Sequence, residues 1–66
     1  MANYRDERVE FDCELVNETS RSWIVDIDGE QHAIPKSISV WTPSRLDAVD
    51  GIIEIPQWKA DELGLG

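Results

Sequence analysis

Residues 8–15, Arg8-Val9-Glu10-Phe11-Asp12-Cys13-Glu14-Leu15, alternate charged and apolar side chains without a fault. Successive side chains of an extended chain point to opposite faces, so a period of two marks a strand with one face buried. Val9, Phe11, Cys13 and Leu15 are expected to face a core. Arg8, Glu10, Asp12 and Glu14 are expected to face water.

The remainder of the chain reads in the same register of structure. Asn17-Glu18-Thr19-Ser20 is a turn by composition. Ser22 to Ile27 is β-branched and aromatic, and Asp28-Gly29 follows it, the strongest short hairpin signal. A two-residue loop then pairs Ile27 with Glu30, Val25 with His32 and Trp23 with Ile34, and Glu30 to Pro35 returns as a third strand. Lys36 to Trp41 is read as extended, with Ile38 and Val40 on one side and Ser37, Ser39 and Trp41 on the other. Pro35 between them marks a bend or a sheet edge. Thr42-Pro43-Ser44-Arg45-Leu46 is expected to form a short helical turn capped by Thr42, and Asp50-Gly51 another turn. Ile52 to Ile55 is the last strand. A short helix should start at Pro56 and run through Leu63 to a stop at Gly64. The fold class is therefore mostly β: a small twisted antiparallel sheet, or an SH3- or OB-like barrel, of four to five strands with a short C-terminal helix. The Asp28-Gly29 hairpin is expected at its centre.

Sixty-six residues make one domain, spanning 1–66. A chain of this size buries only about 60% of its unfolded surface, so little scaffold remains for a catalytic cleft. Trp23 is expected in the core, Trp58 as the staple of the terminal helix, and Trp41, out of phase with Ile38 and Val40, either exposed or beneath that helix. Cys13 is the only cysteine, which excludes an internal disulfide and points to a reducing compartment. The first residues hold no apolar leader core, and no apolar run approaches the ~20 residues that span a bilayer.

Candidate chemistry is sparse. Asp26-Ile27-Asp28-Gly29-Glu30 opens like a calcium loop but lacks the third acid and the closing bidentate glutamate. One cysteine and one histidine cannot supply a structural zinc site. A Cys13–His32 nucleophile pair would need an exposed thiol, whereas Cys13 falls on the apolar face of its strand. His32 is expected at the hairpin rim beside Val25. No glycine-rich phosphate loop is present. No cofactor, metal or catalytic residue is therefore expected, and the protein reads as a non-enzyme.

Charge carries more. The net charge is −8. Residues 1–30 hold nine acids against Arg5, Arg8 and Arg21, which leaves −6. Such a field repels nucleic acid and attracts basic surfaces, although an acidic excess also serves solubility alone. Residues two apart on a strand lie roughly 6.6–6.8 Å apart, so Glu10, Asp12 and Glu14 would form a straight row of carboxylates. Asp26, Asp28 and Glu30 would extend it if the outer faces converge. A nucleic-acid backbone is likewise a regular row of anions. These six acids are the candidate contact residues, and their partner is expected to be a basic surface.

Three segments carry a resemblance: Trp23-Ile24-Val25-Asp26-Ile27-Asp28-Gly29-Glu30, then Ile34-Pro35-Lys36-Ser37, then Ile55-Pro56-Gln57-Trp58-Lys59-Ala60 ahead of Leu63-Gly64-Leu65. Together they resemble small acidic proteins encoded in phage and prophage genomes, over roughly residues 13–65 with a gap at 42–50. That group includes anti-CRISPR proteins, several of which imitate DNA. The resemblance implies an inhibitory binding protein in the cytoplasm of a bacterial host. Its acidic strand faces would occupy a basic groove of a nucleic-acid-binding complex such as a CRISPR effector. The alternative is an accessory interaction module that uses the Ile34-Pro35-Lys36-Ser37 bend and exposed tryptophans, without mimicry.

Overall fold

The computed structural model of the chain describes residues 7–65. Five strands follow in order: β1 (Arg8–Glu18), β2 (Ser22–Ile27), β3 (Glu30–Pro35), β4 (Val40–Pro43) and β5 (Asp50–Pro56). A 3₁₀ turn, Lys36–Ile38, joins β3 to β4, and one helix, α1 (Gln57–Leu63), ends the fold. The strands form one antiparallel sheet in the order β3-β2-β1-β5-β4. The long alternating strand β1 is thus central, and the Asp28-Gly29 hairpin forms one side of the sheet rather than its middle. The reason is that β5 returns to pair with β1 on the side that β2 leaves free.

The hairpin itself has the expected register, Ile27 opposite Glu30, Val25 opposite His32 and Trp23 opposite Ile34. Asp28 and Gly29 both take positive φ, 54° and 90°, as a type I′ turn requires. Asp26 Oδ1 accepts the Gly29 N–H at 2.9 Å and closes the turn.

The short link between β3 and β4 shapes the whole sheet. Pro35 and Val40 sit on opposite edges, yet residues 36–39 can span at most ~18 Å. In a flat sheet the edges would be ~19 Å apart across the strands, and the offset along β1 would add ~26 Å. The sheet must therefore coil until its two edges approach at that corner. They do not hydrogen-bond, so the sheet stays open where a closed barrel would join them. A bulge between Leu15 and Asn17 in β1 adds to the bend.

The concave side holds the core: Cys13, Val25, Ile27, Ile34, Ile53, Ile55 and Ala60, with Val9, Phe11, Leu15, Trp23, Trp41, Leu63 and Leu65 packed round it. Helix α1 contributes Ala60 and Leu63. It ends in a Schellman motif, in which Gly64 (φ 79°) donates to the Asp61 carbonyl and Leu65 to the Ala60 carbonyl. Trp58 stays 38% exposed, so small Ala60, rather than the tryptophan, seats the helix.

Three local expectations are corrected. Lys36–Ile38 is a 3₁₀ turn, which breaks the phase of the following strand, so Trp41 faces the core and Val40 the outside. Thr42 and Pro43 lie in β4, not in a helical turn. Asp50 and Gly51 open β5 instead of turning, because β4 approaches Gly51 closely. No helix among the described residues is long and apolar enough to cross a membrane.

Candidate functional site

The convex face of the sheet can be read from the register. Glu10, Asp12 and Glu14 are exposed along β1. Across from them on β5 stand Glu54, Ile52 and Asp50 respectively. Asp26 on β2 faces Glu14 from the other side. Six carboxylates, at 10, 12, 14, 26, 50 and 54, therefore share one face. Arg8 adds a single cation there, 3.5 Å from Glu54.

Of the six acids singled out in the sequence, Glu10, Asp12, Glu14 and Asp26 come together on this face. Asp28 occupies the hairpin tip. Glu30 stands opposite inward-facing Ile27, and so belongs to the other side of the sheet, 3.9 Å from His32. Asp50 and Glu54 join the face although they were not singled out. In Asp50-Gly51-Ile52-Ile53-Glu54-Ile55 the alternation sets 50, 52 and 54 on one side of a strand once Gly51 is taken as strand rather than turn, but pairing with β1 is what brings that side onto the acidic face.

Glu10 directly opposes Glu54, and Glu14 directly opposes both Asp50 and Asp26. Like charges at opposed cross-strand positions are destabilising. The carboxylates are spread along strands, and among the described residues no group of three or more His, Cys, Asp or Glu is gathered to hold a metal ion. The face also carries apolar surface. Ile52 is 40% exposed between Asp12 and Thr42, and Val40 is 52% exposed beside Glu54. A shallow groove of about 490 Å³ runs between Asp12, Asp50, Thr42, Ser44 and Ile52. Ser44 donates to Asp50 there at 3.0 Å.

Under this face, Cys13 is 9% exposed. Burial first, and the neighbouring Asp12 charge second, push its thiol up from 9.0 to about 11. The thiolate is the reactive form, so native Cys13 is expected to react slowly with a thiol reagent at pH 8 and at the free-thiol rate only after unfolding. The fold favours the neutral thiol, so this contribution to stability is complete below the unfolded pKa and declines as pH rises from about 9 towards 11. Labelling at pH 8 checks the first expectation, and urea denaturation between pH 9 and 11 checks the second. Fast native labelling at pH 8 would mean that the faces of β1 are reversed.

Comparison with known protein families, curated proteins and solved structures gives no match. The functional reading therefore stands on this face and its chemistry.

Proposed function

We propose that the chain is a non-enzymatic, inhibitory binding protein of the small acidic kind that phages and prophages encode. Its convex acidic face would occupy a basic groove of a nucleic-acid-binding complex, such as a CRISPR effector, in place of the nucleic acid.

The directly opposed carboxylates carry this reading. Each such pair works against the fold by roughly 0.2–1 kcal/mol, where neutral polar residues would satisfy the strand equally well. Solubility calls for net charge, but it does not call for acids set opposite one another. A basic partner would turn the same cluster into an attraction. Exposed Ile52 and Val40 give that partner an apolar contact within the charged surround, the usual composition of a protein interface.

The alternative, docking through the Ile34-Pro35-Lys36-Ser37 bend and tryptophans, has less surface to work with. Ile34 is fully buried and Trp23 and Trp41 pack against the core, which leaves Trp58 as the exposed tryptophan.

Competition tests the proposal. The protein should displace nucleic acid from a CRISPR effector or a similar basic-groove complex at low salt, and less well at high salt. The triple neutral variant Glu10→Gln, Asp12→Asn, Glu14→Gln should weaken that displacement while raising the denaturation midpoint, because three opposed like-charge pairs are relieved. A neutral variant that is stabilised and competes as well as the parent would defeat the proposal.

A further inference from the structure

A second groove, about 480 Å³, lies where the β1–β2 turn meets the 3₁₀ turn. It is lined by Ser20, Arg21, Ser22, Pro35, Lys36 and Ser37. No carboxylate lines it, in a chain with fourteen acids. We propose that this groove binds a single phosphate group, with Arg21 as its main ligand. The inference is independent of the acidic face.

The polar side chains that line the groove are two cations and three hydroxyls. The backbone of Arg21 is anchored on both sides: its N–H donates to Thr19 Oγ1 at 3.3 Å, and its carbonyl accepts the Lys36 N–H at 2.7 Å. Its guanidinium makes no ion pair among the described residues, whereas Arg8, Lys36 and Lys59 each make one. The Lys36 ammonium is held between Glu18 and the face of Trp23, 4.5 Å from the ring centroid. Glu18 engages one part of a group that carries three donors. The hydroxyls of Ser20, Ser22 and Ser37 make no hydrogen bond among the described residues.

A fork of guanidinium donors, an ammonium held in place and free hydroxyls call for a compact ligand that only accepts hydrogen bonds and carries negative charge. A phosphate group meets that description. A nucleic-acid strand does not, because its further phosphates would meet the field of the acidic faces. A single anion sits within about one Debye length, ~8 Å, of both groove cations; Lys36 is shared with Glu18, which leaves Arg21 to supply the unpaired charge.

Titration of the whole chain with inorganic phosphate, followed by NMR, tests the proposal. The amides of Ser20, Arg21, Ser22, Lys36 and Ser37 and the Trp23 indole N–H should shift and saturate. Chloride at matched ionic strength should not reproduce the shifts. Acetate, with fewer acceptors and less charge, should bind more weakly. Arg21→Gln alters an exposed side chain, so it should leave the hairpin amides and the melting temperature unchanged while weakening phosphate binding at least tenfold. Shifts that rise linearly with concentration, that chloride or acetate equals, or that survive Arg21→Gln would overturn the site.

Discussion

Gly51→Ala is expected to cost more stability than any exposed substitution in the protein, about 2 kcal/mol or more by the overpacking it forces. Gly51 is buried at the start of β5, opposite Cys13 on β1 and Pro43 on β4. A Cβ there would press on the Thr42 carbonyl oxygen, lie 2.7 Å from Pro43 Cα and lie 2.9 Å from the Trp41 ring. The first two obstacles are backbone, which cannot move without breaking the β4–β5 ladder. A chain of this length has about 3–10 kcal/mol of total stability at ~0.05–0.15 kcal/mol per residue. The loss is thus a large fraction of it. Gly29→Ala supplies the contrast. Nothing lies within 4 Å of a Cβ at Gly29, so only its positive φ resists, at about 1 kcal/mol. Urea denaturation of both variants checks the order. If Gly51→Ala proves the milder change, β4 does not approach β5 as described.

The combined variant Glu10→Lys, Asp12→Lys, Glu14→Lys is expected to abolish competition for a basic groove at low salt, with affinity falling about 100-fold or more. Single exposed charges contribute little, often below ~1 kcal/mol, so no one of the three should suffice alone. Together they replace three attractions with three repulsions. The register adds a control that charge reversal seldom offers. A lysine at position 10 would face Glu54, and one at 14 would face Asp50 and Asp26, so opposed like charges become opposed unlike charges. Stability should hold or rise. Each substitution changes the charge by two, so the net moves from −8 to −2 and the protein remains acidic. Circular dichroism and a melting curve establish folding, and the competition assay at two salt concentrations reads the loss. A folded triple variant with unchanged potency would reduce the acidic face to solvation. The apolar contact at Ile52 and Val40 would then be the surface to test.

Much of this molecule is local in origin, and that part was legible in the sequence. The alternation of 8–15 makes β1 and assigns its faces, since the period of a strand is a property of the backbone. Asp28-Gly29 sets the β2–β3 register, since few residue pairs accept positive φ at both turn positions. Pro56 and Gly64 bound α1 for similar reasons of backbone conformation. What depends on distant pairing was not legible. That β5 lies beside β1, that Asp50 and Glu54 complete the acidic face, and that Glu30 leaves it, follow from strand order. Strand order is decided by burying the concave side as one core. Asp50-Gly51 has the composition of a turn, and β4 passing close overrides that local preference. The Arg21 groove, by contrast, follows from the hairpin register, since Ser22 opposes Pro35 and the Arg21 carbonyl accepts the Lys36 N–H just beyond that pair.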